Sequence, residues 1–148
     1  GTLKGIAYKL EKRAPMLTCD TAFIGIETGV AEDYRGKPGK RQVTILAEEA
    51  LMEACEVLQK DIPWTTRRAN LLICGIQLEK SSGKHLQIGD AIIEVTGETD
   101  PCYRMDEQVQ GLKEALEPNW RGGVTGKVVF EGHVKIGDAV QWVEAINT

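Results

Sequence analysis

The sequence predicts a single mainly β domain of the α+β class, spanning residues 1–148, with strands from both halves of the chain brought together. Its 148 residues, 42% of them hydrophobic, are enough to build one buried core. Short strand-like segments bounded by turn residues recur along the chain, whereas helical periodicity is confined to two segments. Because those helices do not alternate regularly with strands, a doubly wound parallel sheet is not expected.

Strand and loop patterns alternate through the first part of the chain. Residues 3–10, LKGIAYKL, and residues 21–27, TAFIGIE, have the mixed pattern of half-buried strands. Residues 31–40, AEDYRGKPGK, combine glycine, proline and charge, which is typical of an exposed loop. The β-branched segment RQVTIL that follows indicates another strand.

The clearest helix covers residues 47–60, AEEALMEACEVLQK. One face is apolar and includes Leu51, Cys55 and Leu58, so this face is predicted to pack against the rest of the domain. Glutamates fill the first turn, where the helix dipole stabilises negative charge. The later run NLLICGI, residues 70–76, is continuously apolar and predicts a strand buried on both faces.

The second half contains the same strand–turn–strand pattern twice. HLQIGDAIIEV begins at His85 and HVKIGDAVQWV at His133, and each has an Ile-Gly-Asp turn between two strands. Two such turns in a small domain favour a barrel or a coiled sheet. The two histidines occupy matching positions and are expected to have positional roles. Between the repeats, MDEQVQGLKEAL predicts a second helix with Asp106 as its N-cap.

Composition and motifs exclude several classes of function. The formal net charge of -4 argues against general nucleic-acid binding, which requires a basic surface. No apolar run approaches the ~18–20 residues of a membrane-spanning helix, and the first residues do not resemble a signal peptide, so a cytoplasmic protein is expected. The motifs of P-loop and dinucleotide-binding proteins, serine hydrolases and zinc proteases are absent from the sequence.

The four cysteines do not have the spacing of a zinc site or a dithiol redox centre. Cys19, Cys55, Cys74 and Cys102 include no C-x-x-C pair, and no histidine lies at zinc-finger spacing. Cys55 lies on the apolar helix face and Cys74 within the apolar run, so both are predicted to be core residues. Cys19 lies in the polar segment LTCDT and is assigned no role.

Cys102 has a different setting, in the segment TDPCYRMD. Pro101 fixes its own φ and favours an extended Asp100, so the thiol is carried by a stiff backbone. A helix predicted about one turn later and the nearby Arg104 would stabilise a thiolate, whereas Glu98 and Asp100 would oppose it. The residues alone leave two interpretations open: a nucleophile or metal ligand, and a loop cysteine without a function.

Basic residues are concentrated in three places. They comprise Arg35, Lys37, Lys40 and Arg41, then Arg67 and Arg68 close to Asn70, and finally Arg121 before two glycines. Guanidinium groups bind phosphate or carboxylate in a bidentate manner. If the fold gathers these residues near Cys102, they would form an anion pocket with a thiol at its edge. The alternative is a set of solvated loop charges.

Five segments then occur in a characteristic order. They are GVAEDYRGKPGKRQVTIL, WTTRRANLLICGIQL, LQIGDAIIEVTGETDPCYRMDE, GLKEALEPNWRGGVTGKV and VKIGDAV. Together they resemble the MOSC domain, a family named for the C-terminal domain of molybdenum cofactor sulfurase. The resemblance covers most of the chain, and its most specific part is the Pro-Cys pair that follows the I-G-D-A strand pair.

The resemblance implies a closed β-barrel with two or more short helices and a functional cysteine at Cys102. In such domains this cysteine handles sulfur for metal–sulfur cofactors or, in the amidoxime-reducing branch, ligates the molybdenum of a pterin cofactor. The segment with Arg67, Arg68 and Asn70 resembles the family's R-N-L segment. These residues are therefore expected to bind the cofactor with Arg41 and Arg121. The segment GVAEDYRG departs from the G-x-x-G-D-R-H of many relatives because it lacks the histidine.

Two functions follow from the resemblance. In the first, Cys102 carries a persulfide and delivers sulfur to a metal–sulfur centre while the arginines bind the cofactor's phosphate. In the second, Cys102 is a soft thiolate ligand to molybdenum in an oxidoreductase component. A binding module without turnover is a third. The chain has no room for a pyridoxal-phosphate desulfurase or ferredoxin-like domain, so a cysteine desulfurase or an electron-transfer protein is the expected partner.

Overall fold

Strands dominate the structure, a computed structural model that describes residues 1–12, 14–99 and 109–144 but not the side chain of Arg67. The described strands are β1 (Thr2–Tyr8), β2 (Leu17–Cys19), β3 (Thr21–Gly25), β4 (Gly29–Val30), β5 (Val43–Ala47), β6 (Leu71–Cys74), β7 (His85–Ile88), β8 (Ala91–Glu98), β9 (Val124–Phe130), β10 (Gly132–Lys135) and β11 (Val140–Val143). The described helices are α1 (Glu48–Leu58) and α2 (Leu112–Leu116), with 3-10 helices at Trp64–Arg67 and Pro118–Trp120.

The strands form two sheets. The larger has the order β11-β7-β8-β9-β5-β6-β1-β2, and the smaller has the order β10-β3-β4. This architecture confirms the mainly β, α+β class, but the prediction of a closed barrel is wrong. In the described part of the chain, Thr2 of β1 meets Ala139 near β11 through an isolated bridge rather than a ladder. Residues Ile6–Tyr8 of β1 are already paired with β2, so only its first residues approach the far end of the sheet.

Helix α1 connects the parallel neighbours β5 and β6 and covers one face of the sheet. Its first turn carries Glu48 and Glu49, and it ends at Leu58, after which Gln59 has a left-handed φ of 53°. Leu51 is buried against Leu46, Ala69 and Leu72, and Cys55 and Leu58 are half-buried. The predicted helix and its packing face are therefore confirmed.

Leu51 provides a direct test of this packing. Replacing it with alanine removes a side chain that is only 7% exposed and leaves a cavity between α1 and the sheet. The Leu51→Ala change is expected to lower the free energy of unfolding by about 2–5 kcal/mol. Urea denaturation of both proteins measures this difference, and the exposed Met52→Ala on the same helix is the control, for which little change is expected.

Strand β6 is buried on both faces, as the apolar run predicts. Leu71 and Ile73 point into the main core, where they join residues from both sheets. Leu72 points the other way, into the cluster beneath α1. This two-sided burial follows from the position of β6 inside the large sheet with α1 packed on one side.

The two Ile-Gly-Asp turns pack against each other. β7 pairs with β11, and a Cβ added to Gly89 of the first turn would lie 2.5 Å from Oδ2 of Asp138 in the second. Gly89 also has a φ of 55°, which glycine tolerates without strain. His85 is nearly buried, and its Nε2 lies 3.7 Å from Oε1 of Glu94. His133 is exposed, and its ring packs against that of Phe23. The two strand–turn–strand units are therefore confirmed.

The second predicted helix is described only from Val109 onward, so Asp106 lies outside the described residues. Within the described part, Leu112 and Leu116 are buried in a small cluster that also contains Ala54 of α1. None of the helices in the described ranges is both long and apolar enough to cross a membrane.

Candidate functional site: a basic cavity

A small cavity forms where the end of β1, the turn after β4 and the starts of β5 and β6 meet. Its volume is about 30 Å³. It is lined by Lys9, Met16, Asp33, Tyr34, Arg35, Arg41, Thr44, Arg68 and Asn70. Four of these side chains are basic and one is acidic, although the chain as a whole is acidic. The cavity is therefore a local concentration of positive charge suited to an anion.

The turn at residues 33–36 is fixed by its aspartate. Asp33 Oδ1 accepts a hydrogen bond from the backbone N–H of Lys9 at 2.9 Å, and its Oδ2 accepts one from the N–H of Arg35 at 3.3 Å. The N–H of Tyr34 donates to the carbonyl oxygen of Lys9 at 2.9 Å. A Cβ at Gly36 would overlap the carbonyl oxygen of Thr28, so glycine is required there. These contacts hold Tyr34 and Arg35 beside the end of β1.

Lys9 and Tyr34 form the inner part of the cavity. Lys9 is only 4% exposed, and its Nζ donates to the carbonyl oxygen of Lys12 at 2.9 Å and lies 5.1 Å from the centre of the Tyr34 ring. The Arg35 guanidinium lies 5.3 Å from the same ring. The Tyr34 hydroxyl is buried and has no hydrogen-bond partner among the described residues. A buried hydroxyl without a partner is costly, so this hydroxyl is available to donate to an oxygen of a ligand.

Asn70 holds three strands together at the edge of the cavity. Its Oδ1 accepts from the N–H of Thr44 at 3.0 Å, and its Nδ2 donates to the carbonyl oxygen of Ala7 at 3.2 Å. The Asn70 side chain therefore uses its hydrogen bonds to hold β1 and β5 in place at the edge of the cavity. Arg68, two residues earlier, has a left-handed φ of 63° after the 3-10 helix and lines the cavity.

A row of threonines leads from the cavity across β5, β9 and β8. Thr44 of β5 lies opposite Thr125 of β9, and the hydroxyls of Thr125 and Thr96 are 2.8 Å apart. These side chains share the face opposite the main core, because Val43 and Ile45 point inward. Thr96 lies six residues before Cys102 in sequence. Cys102, the predicted nucleophile and metal ligand, lies outside the described residues.

The structure brings together Arg41, Arg68 and Asn70 but not Arg121. The Arg121 guanidinium donates to Glu53 Oε2 at 3.0 Å and to the carbonyl oxygen of Ala115 at 3.2 Å. It lines a different cleft, beside the N-terminal half of α1. Arg67 ends the 3-10 helix, and its side chain is not described.

The described cysteines and acids do not form a metal site. No group of three or more histidine, cysteine, aspartate or glutamate side chains in the described ranges could hold a metal ion. Cys19, Cys55 and Cys74 are free thiols. Burial, assisted by the negative charge of Asp20, raises the pKa of Cys19, which makes it a poor nucleophile near neutral pH.

Lys9 and Tyr34 were not predicted from the sequence. Lys9 ends a strand-like segment and Tyr34 lies in a charged loop, so neither stands out locally. The only available signal was the tyrosine between Asp33 and Arg35 in an otherwise hydrophilic turn. Their proximity depends on a contact between residues 24 positions apart.

The fold and the site define a mainly β domain with a basic cavity at one edge of its large sheet. The sequence profile of the MOSC domain matches residues 29–141 of the 148. The chain belongs to the MOSC domain family, which is associated with molybdenum-cofactor biology.

Solved structures share this fold at low sequence identity. YuaD from Bacillus subtilis is 19% identical with a TM-score of 0.78, and the match covers 94% of this chain and 93% of that one. YiiM from Escherichia coli is 17% identical with a TM-score of 0.70, covering 100% of this chain and 72% of that one. YiiM from Geobacillus stearothermophilus is 17% identical with a TM-score of 0.68, and the match covers 97% of this chain and 73% of that one. No curated protein sequence matches this chain.

Proposed function

We propose that this protein is a sulfur-transfer domain that binds the anionic group of a molybdenum cofactor in the basic cavity and delivers sulfur to it from Cys102. The observation that carries the proposal is the cavity itself, with Lys9, Arg41 and Arg68 around the unpartnered hydroxyl of Tyr34. Between them, the oxygens of a phosphate group would accept hydrogen bonds from all four side chains.

The cavity fits part of such a cofactor. Its volume of about 30 Å³ has room for a small group and not for a whole pterin. Its side chains supply donors, and its one carboxylate, Asp33, is engaged by backbone N–H groups. The cavity is therefore proposed to hold a phosphate group, with the remainder of the cofactor lying along the threonine row.

Cys102 would be loaded by thiol–persulfide exchange. The Cys102 thiolate attacks the outer sulfur of a persulfide on a donor protein, a new S–S bond forms, and the donor cysteine leaves as a thiolate. A pyridoxal-phosphate-dependent cysteine desulfurase has the chemistry of this donor. Release of the outer sulfur from Cys102 as sulfide requires two electrons, which a thiol reductant would supply.

The same cavity also supports a second function, in which the cofactor is resident. Lys9, Tyr34, Arg41 and Arg68 would then hold the phosphate permanently, and Cys102 would be a soft thiolate ligand. When bound, molybdenum supplies redox chemistry that an electron-transfer partner would sustain. A module that binds the cofactor without turnover would use the same residues.

Metal and sulfur content separate these functions. The protein is purified from a host able to make molybdenum cofactor and then incubated with a cysteine desulfurase and cysteine. The sulfur-transfer proposal predicts little bound molybdenum and the added mass of one sulfur atom on Cys102. Stoichiometric molybdenum without persulfide would establish the resident-cofactor function instead. If the protein carried neither metal nor persulfide but still bound phosphate, the result would support a binding module without turnover.

Tyr34 distinguishes a binding group from a structural one. Because its hydroxyl is buried without a partner, Tyr34→Phe is expected to leave the free energy of unfolding unchanged or to raise it by about 1 kcal/mol. The same change should weaken the binding of inorganic phosphate, measured by isothermal titration calorimetry, because one donor is lost. A clear loss of stability, or unchanged phosphate affinity, would contradict the assignment. Tyr8→Phe is the matched control, because Tyr8 does not line the cavity.

A further inference from the structure

A second and much larger concavity runs along α1. It has a volume of about 910 Å³ and is lined by α1, by the segment after it and by Leu72 of β6. We call it the α1 groove. Helix α1 has 11 residues, which corresponds to a length of about 16 Å and hence to about three turns of a helix lying beside it. All of its lining residues belong to the described ranges.

The floor of the α1 groove is apolar and firmly supported. It is formed by Leu51, Ile62, Trp64 and Leu72. The indole of Trp64 lies directly over Gly5 of β1, where an added Cβ would be 2.8 Å from its Cζ2 atom. Met52 forms part of the wall and is 63% exposed, which is unusual for a large apolar side chain. Tryptophan and methionine are enriched where proteins bind partners.

The rim of the α1 groove is acidic. It carries Glu48, Glu53, Glu56 and Asp61, against the single base Lys60. Glu53 is paired with Arg121, so three carboxylates and one ammonium group determine the field over the apolar floor. A rim of this kind attracts a partner with positive charge and repels acidic surfaces.

The α1 groove also lies next to the basic cavity. Trp64 begins the 3-10 helix in the groove, and Arg68, which immediately follows that helix, lines the cavity. The N–H of Arg68 donates to the carbonyl oxygen of Thr65 at 3.0 Å, which makes this connection one tight turn. A protein seated in the groove would therefore be close to the basic cavity.

We propose that the α1 groove docks a basic amphipathic helix of a partner protein, with its apolar face on Trp64 and Met52 and its lysines or arginines along the acidic rim. Helix-in-groove recognition requires an apolar floor of about this length, and the charge of the rim selects a basic helix. This binding does not depend on the sulfur chemistry or on the contents of the basic cavity.

The test uses a fluorescein-labelled amphipathic peptide built from leucine and lysine with helical periodicity, titrated with the full protein and followed by anisotropy. A peptide with glutamate in place of lysine is the charge control. The lysine peptide is expected to bind, and Glu56→Lys and Met52→Ser should each weaken binding about tenfold. Glu27→Lys makes the same change in net charge outside the groove, and Val57→Ser removes an exposed side chain from α1 outside the groove. Both should change affinity by less than about twofold.

Several results would overturn this proposal. Equal binding of the two peptides would show that charge does not select the partner. Equal losses in Glu27→Lys and Glu56→Lys would show that the lysine peptide responds to net charge alone. Concentration-dependent self-association that Met52→Ser abolishes would assign the groove to a second copy of this chain. All four substituted positions are exposed, and thermal melting followed by circular dichroism verifies that each variant remains folded.

Discussion

Replacing Cys102 by serine is expected to abolish both persulfide loading and any retention of molybdenum. An alcohol is a far weaker nucleophile than a thiolate and is not a soft metal ligand, so either proposed function requires the sulfur atom. The two side chains are nearly the same size, and folding should be retained. Mass spectrometry after incubation with a cysteine desulfurase and cysteine, together with metal analysis, measures the two losses.

The other cysteines provide matched controls for this experiment. Cys74→Ser changes a half-buried thiol in β6 and should leave loading at Cys102 intact. Mild alkylation near neutral pH should modify Cys102 before Cys19, because burial and the charge of Asp20 raise the pKa of Cys19. Undiminished sulfur and metal binding by the Cys102→Ser protein would refute both functions assigned to this residue.

The local elements could be predicted because local sequence patterns determine them. The spacing of Leu51, Cys55 and Leu58 predicted α1, and the repeated Ile-Gly-Asp turns predicted two strand–turn–strand units, all of which the structure contains. The apolar run predicted β6 for the same reason. In each case the residues that specify the element lie within about a dozen positions of one another.

The parts that depend on distant contacts could not be predicted in this way. The closed barrel was expected from a family resemblance, but the pairing of β1 with β2 leaves the sheet open. Lys9 joins the site only because Asp33, 24 residues later, binds its backbone N–H. Arginine is a residue type that commonly binds anions, yet the guanidinium of Arg121 donates a hydrogen bond to Glu53, 68 residues earlier in the sequence. Local sequence does not encode which of these charges become neighbours.

The second large effect is expected at Arg68. In Arg68→Ala the cavity loses a guanidinium that can donate to an oxyanion, and hydrogen bonds to charged groups contribute about 1.5–3 kcal/mol. The affinity for inorganic phosphate should therefore fall by about ten- to a hundredfold. The measurement is the shift of the urea unfolding midpoint with added phosphate, because a ligand that binds only the native state stabilises it by RT ln(1 + [L]/Kd), so the shift reports the affinity. Sodium chloride at equal ionic strength corrects for screening of charge.

Arg121→Ala separates this effect from a general loss of positive charge. That variant removes the same charge but from the cleft beside α1, where the guanidinium is bonded to Glu53 and Ala115. Its free energy of unfolding should fall by about 1 kcal/mol while the stabilisation by phosphate stays at the level of the unmodified protein. The two variants are thus expected to have different effects. Arg68→Ala reduces the stabilisation by phosphate, whereas Arg121→Ala lowers the free energy of unfolding measured in the absence of phosphate. If both variants lost the phosphate response equally, the anion would be bound by long-range charge, and the basic cavity would not be its site.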